Sequence, residues 1–276
     1  MAVITFSREA HSGTQDLARL LAQRLGYRYV GRDELTQAVT ARSGVERVPQ
    51  MSESEGRALS LWEQFGEQLT GDRATYVASL KAVITDLALA DNVVIVAHGA
   101  GQFLADMRGV VRVFVVAPME DRLARLEREG LRDADQAQRL IDQQDRESGD
   151  YLRYVFGIDW LDPHAWDLVI NTGRANTSAV VDMLAHYAES LTRDQAEQDR
   201  LARQQLVARV EQALLADLEL GVDKLSVQVE TDRTIVLGGD ALAREDRERA
   251  ESLALAVAPN DVTIDNRIVV RPPSSA

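Results

Sequence analysis

The sequence predicts an α/β protein built on a doubly wound parallel sheet, followed by a small α+β domain of order αββαβ. Three observations predict it. Val3-Ile4-Thr5-Phe6 is a short, β-branched apolar run; Ser7 to Thr14 is a turn carrying Ser12 and Gly13; and Leu17, Leu20, Leu21 and Leu25 then recur on one helical face. Val93 to Val96 and Val111 to Val116 are continuous apolar strands set among helical stretches, as in a parallel sheet covered on both faces. From about Leu206 the pattern changes to helix, alternating strand, return strand, helix and strand.

In chain order, Tyr27 to Val30 reads as a second short strand, and Gly31 and Arg32 turn the chain into a helix from about Asp33 to Ala41. Ser43 to Gly56 is polar, carries Gly44 and Pro49, and reads as a loop. Leu59 to Leu69 and Thr75 to Ala90 read as helices, the second with Leu80, Val83, Ile84 and Leu87 in one stripe. Val169 and Ile170 form a last strand before a closing helix, Thr177 to Leu191. In such a sheet a ligand lies at the carboxyl ends of the strands, where the turn after Phe6 also lies.

Thr192 to Arg203 is polar and lacks Gly and Pro, so it reads as a helical connector. Val207, Val210, Leu214 and Leu218 then form a helical face, and Leu225, Val227 and Val229 alternate as a half-buried strand. Thr231-Asp232-Arg233 makes a turn, and Thr234 to Leu237 returns before Gly238-Gly239. Leu242 to Val257 is helical, with Ala250, Leu253, Ala254 and Val257 inward, and Val262 to Val270 is the final strand. The expected division is residues 1–192, a connector at 193–203, a second domain at 204–270 and a disordered Pro/Ser tail at 271–276.

Composition narrows the function classes. With 45% hydrophobic and 27% charged residues, the 276-residue chain is an ordinary globular one. It has no cysteine, which removes disulfides, thiolate nucleophiles and thiolate metal sites. His11, His98, His164 and His186 lack metal-ligand spacing, so no metal site is expected. A net charge of −13 repels polyanions and argues against nucleic acid as a partner. A strand beginning at Val3 leaves no room for a signal peptide and no run is long enough to span a membrane, so the expected location is the cytoplasm.

The opening strand, small-residue turn and helix make the setting of a phosphate-binding loop, where backbone N–H groups and the helix dipole hold an anion. A helix N-cap has the same outline, and no Gly-Lys-Ser or Gly-Lys-Thr occurs in the chain. A resemblance separates the two. Ile4-Thr5-Phe6-Ser7-Arg8-Glu9 followed by Ser12-Gly13 resembles the opening of the cytidylate-kinase-like family, P-loop relatives of nucleoside monophosphate kinases. Arg32-Asp33-Glu34-Leu35, Val93 to Ala100, Arg112 to Arg122, Gly157-Ile158-Asp159-Trp160 and Trp166 to Thr172 are similar to its later motifs, in the same order, over roughly residues 1 to 190.

The resemblance implies a P-loop kinase-like fold with a helical lid at Pro118 to Tyr154, and transfer of a phosphoryl group from ATP-Mg²⁺ to a nucleoside monophosphate of the CMP type. It implies that Arg8, His11, Ser12, Gly13, Thr14 and Gln15 bind the donor nucleotide. Arg32, Asp33, His98 and Gly99 would face the acceptor, with Arg122 and Arg146 catalytic on the lid. The chain departs from the family pattern at several of these positions. His11 and Thr14 replace loop glycines, where a Cβ is expected to obstruct a positive-φ backbone. Ala97-His98 stands for Gly-Arg, Ser148 for a lid arginine and Gly31 for an aspartate. The alternative is therefore an inactive nucleotide sensor.

The C-terminal pattern is similar to a BON domain, carried by Val227-Gln228-Val229, Ile235-Val236-Leu237-Gly238-Gly239, Ala250 and Val262 to Val270. That resemblance implies attachment to a protein or membrane-associated partner, or self-association into an oligomer. From Leu201 onward there are nine basic and thirteen acidic residues, which does not favour anionic lipid.

Overall fold

The structure is a computed structural model and describes residues 2–43, 70–191, 193–231 and 233–271. The helix expected at 59–69, most of the loop expected at 43–56 and the tail 272–276 lie outside the described residues. Among the described residues, the chain divides into two compact units. One comprises residues 2–38 and 90–197, and the other 39–43, 70–89 and 198–271.

The first unit holds five parallel strands, β1 (Val3–Arg8), β2 (Arg28–Val30), β3 (Val93–Val96), β4 (Val110–Val116) and β5 (Leu168–Asn171), in the order β2-β3-β1-β4-β5. β1 lies at the centre because its side chains are buried on both faces, whereas β5 at the edge leaves Val169 47% exposed. Helix α1 (Thr14–Leu25) and the closing helix (Thr177–Ser190) cover one face. Leu17, Ala18 and Leu21 meet Leu184, Ala185 and Ala188 over Ile4, Phe6, Val94, Val113 and Val115. Helix α2 (Arg32–Ser43) starts at Arg32 rather than Asp33, and it reaches Ser43.

The lid stretch is two helices. The first (Met119–Arg128) follows Pro118, and the second (Ala134–Phe156) is capped by Asp133, whose side chain accepts the Gln136 N–H. Leu152 near the end of the second packs with Phe114, Trp160 and Trp166, fixing the base of the lid against β4. With the helix Thr70–Ala90 as α3, the lid helices are α4 and α5 and the closing helix is α6. Among the described residues, no helix is long and apolar enough to cross a membrane.

In the second unit, the expected connector and the helix after it are one helix, α7 (Gln195–Leu215). It ends before Leu218, which is 86% exposed instead of facing inward, because the Asp217 carboxylate takes the Glu219 N–H and turns the chain. α7 holds α3 through Lys81–Glu211 at 2.7 Å and the Thr75 hydroxyl donating to the Leu215 carbonyl. β6 (Val222–Thr231) and β7 (Thr234–Ala241) form the antiparallel hairpin, and α8 (Arg244–Val257) covers it with Ala250 and Ala254 inward. The final strand is two pieces, β8 (Thr263–Asn266) and β9 (Val269–Val270), both parallel to β7. They are split where Asn266 bonds the Arg247 carbonyl and buried Ile268 enters the core.

Candidate phosphate loop and facing turn

The loop after β1 leaves the carboxyl end of the central strand and enters α1 directly. His11 has φ 55° and Gly13 has φ 81°, so both adopt the left-handed backbone. The expected obstruction at His11 does not occur: its Cβ is accommodated at a cost on the order of 1 kcal/mol. Thr14 needs no positive φ, because it is the first residue of α1. Gly13 caps that helix without any side-chain acceptor, so the first-turn amides of Thr14, Gln15 and Asp16 have no intrahelical carbonyl. Ser12 and Thr14 are buried and share a hydrogen bond of 2.8 Å between their hydroxyls, and the Thr172 hydroxyl donates to the Ser12 carbonyl. These bonds set the loop's shape from beneath and leave Gln15 exposed at its rim.

Arg122 is 4% exposed and serves as a brace. Its Nε donates to the Ala10 carbonyl at 2.7 Å, one Nη pairs with Asp145 of α5, and the other lies 3.6 Å from Glu9. Asp145 also accepts the Ala10 N–H at 2.8 Å, and Glu9 accepts the Ala117 N–H at 3.0 Å. Burial pushes the Glu9 carboxyl up, while the Ala117 amide and Arg122 favour its ionised form. Loop, α4 and α5 are thereby joined around one buried guanidinium. Arg146, one residue beyond Asp145, is exposed and outside this cluster.

Arg125 was not among the residues singled out in the sequence. It lies on the loop, with its Nη1 donating to the His11 carbonyl at 3.1 Å. A Cβ on Gly13 would stand 3.0 Å from its Cζ. The usable signal was the spacing: three residues apart on one helix, Arg122 and Arg125 share a face, so a brace at one carries the other to the loop.

The facing turn follows β3. The Gly99 N–H donates to the Ser7 hydroxyl at 3.4 Å, which ties the turn to the end of β1. Gly99 has φ 76°, and a Cβ there would lie 2.5 Å from Phe156. His98 is half-buried beside Trp160, and its Nε2 lies 3.3 Å from the Ser148 hydroxyl. The two positions where the family pattern expects arginines thus meet as one neutral pair. Burial, reinforced by Arg8 and Arg32, lowers the His98 pKa to about 3, so the ring is uncharged near neutrality. Arg8 and Arg32 are therefore the cations of this turn; Asp33 is exposed at the start of α2.

The donor set of the loop suits an anion. The loop offers helix-end amides and nearby guanidinium groups, and its hydroxyls bond each other. Among the described residues, no three His, Asp or Glu side chains gather as metal ligands.

Comparison with known proteins bears on the family and the fold. The sequence profile of the cytidylate kinase-like family matches residues 3–174, and that of the BON domain matches residues 202–272. A cytidylate kinase of Ignicoccus hospitalis is 26% identical over 187 residues, which span 67% of this chain and 97% of that protein. Among solved structures, an uncharacterized protein from Eubacterium ventriosum shares the fold at 20% identity and TM-score 0.52, covering 69% of this chain and 99% of that one. A shikimate kinase from Bacteroides thetaiotaomicron aligns over 68% of this chain and 98% of its own, with 16% identity and TM-score 0.41.

Proposed function

The chain belongs to the cytidylate kinase-like family, and on that premise we propose that its first unit binds a nucleoside triphosphate at the 7–15 loop and transfers a phosphoryl group to a nucleoside monophosphate. The observation that carries this reading is the loop backbone. Left-handed residues at His11 and Gly13 precede an uncapped helix at the carboxyl end of the central strand. That arrangement directs amide N–H groups and the positive helix end at one point, as a phosphate chain requires.

In this reading the amides of residues 13–16 hold the donor phosphates. Magnesium arrives with the nucleotide, where it offsets the charge of the phosphate oxygens. Arg8 and Arg32 orient the acceptor phosphate, and neutral His98 with Gly99 shapes the floor beneath it. Arg122 holds the loop and lid helices in register, acting through Ala10, Glu9 and Asp145. Arg146 is the lid cation free to approach the transferred group. Proton and charge movement then depend on positioning, as in phosphoryl transfer generally. The BON-like unit supplies a contact to a protein partner.

The neutral His98–Ser148 pair favours a second reading, in which the first unit senses a nucleotide without turning it over. Production of ADP from ATP-Mg²⁺ against a panel of nucleoside monophosphates separates the two, with Arg146→Ala as control. Turnover with one acceptor, reduced at least ~1000-fold in the control, supports the kinase. Nucleotide binding with no turnover above the control supports the sensor.

A further inference from the structure

We propose that Arg125 is the cation of the phosphate loop, supplying from α4 the charge that a Walker lysine supplies from the loop itself. The inference rests on the nucleotide-binding reading above and assigns a contact residue within it. Three observations lead to it. The chain has no Gly-Lys-Ser or Gly-Lys-Thr, so the loop carries no lysine of its own. Arg122 is buried and its charge is already matched by Glu9 and Asp145 while its Nε serves the Ala10 carbonyl. Arg125, one helical turn further, lies against Gly13 and forms no ion pair among the described residues.

Arg125 is also suited to the task in detail. Its one hydrogen bond goes to the His11 carbonyl, the point where the loop backbone is left-handed, so the guanidinium is held in place without being neutralised. An arginine carries five N–H donors, and the remaining four are available to phosphate oxygens, two of them in a parallel fork. The Glu129 carboxylate lies 3.4 Å from the His11 ring. Gly13 is then required for two reasons. Its φ of 81° strains any other residue, and a Cβ would press on Arg125 at 3.0 Å. The ligand class is a nucleoside di- or triphosphate, whose phosphates lie between the first turn of α1 and this guanidinium.

Calorimetric titration of the full chain tests this, using ATP, inorganic tripolyphosphate and adenosine against wild type, Arg125→Ala and Arg125→Lys. The expected result is a ten- to hundredfold loss of affinity for ATP and tripolyphosphate in Arg125→Ala. Arg125→Lys should recover only part of it, because an ammonium lacks the planar fork. Adenosine affinity should not change, and a far-UV spectrum identical to wild type excludes misfolding. Wild type and Arg125→Ala binding ATP equally would overturn the role of Arg125 alone. A wild type that binds neither ATP nor tripolyphosphate would overturn the nucleotide site and Arg125's role with it.

Discussion

Among the described residues, arginines enter the interior of the first unit, whereas the ion-paired arginines of the second remain at its surface. Arg122 is 4% exposed between two carboxylates and a carbonyl. In the second unit Arg267 pairs with Glu230 and Asp265 while 52% exposed, and Arg249 pairs with Asp217 and Glu219 while 42% exposed. The sheets differ in the same way. β1 is buried on both faces, and β6 alternates between half-buried and exposed. Burying a guanidinium is expensive unless every partner is in place. The first unit meets that cost at Arg122, where a loop, two helices and the end of a strand must keep a fixed geometry, and again where Arg193, 3% exposed, faces Asp91. Among the described residues of the second unit, the ion-paired arginines all stay solvated.

This contrast predicts a graded set of effects. Arg122→Ala leaves Glu9 and Asp145 without their shared cation and should cost about 3–5 kcal/mol in a denaturant titration. In the second unit the comparable loss requires an apolar change. Ile235→Ala in the core under α8 should cost about 2–4 kcal/mol, measured the same way. Gly99→Ala meets both a φ of 76° and Phe156, and should lower stability by about 1–3 kcal/mol. If Gly99→Ala were neutral, the turn would not be as rigid as the contrast requires.

A pH titration gives a smaller effect. His98 has a pKa of about 3 in the folded chain against about 6.5 when unfolded. The unfolded state therefore binds the proton more readily. His98's contribution to stability is full above pH 6.5 and is lost as pH falls towards 3. Urea midpoints of wild type should decline between pH 6.5 and 5 more steeply than those of His98→Gln. Smallest of all, Arg267→Ala should leave the midpoint unchanged, since both of its ion pairs are solvated.

Much of the fold was legible because it rests on local periodicity. The continuous apolar runs at β1, β3 and β4 fit covered strands, and the alternation at Leu225 to Val229 fits a half-buried one, as the structure has them. The stretch Thr192 to Arg203 is helical as its composition suggests, but the boundary drawn at 203/204 falls inside α7, because polar residues continue the helix without a Gly or Pro to mark a break. The loop after β1 and the turn after β3 were visible as segments, and the structure joins them through Ser7 and Gly99, while the partners of their charges were not visible. Arg122 and Asp145 lie on different helices 23 residues apart, and no sequence spacing links them. Similarly, the pairing of His98 with Ser148 became visible only when β3 and α5 were brought together. His11 shows a further limit, because propensity disfavours its positive φ and the surrounding contacts impose it.

The central claim is that residues 7–16 form a nucleotide-phosphate site. Amide hydrogen exchange on the full chain, with and without ATP-Mg²⁺, tests it most directly. The account predicts slowed exchange in the 7–16 loop and first turn of α1 and along α4 around Arg125, with exchange in 222–271 unaltered. Unchanged exchange in the loop at saturating ATP-Mg²⁺, or protection confined to 222–271, would contradict it.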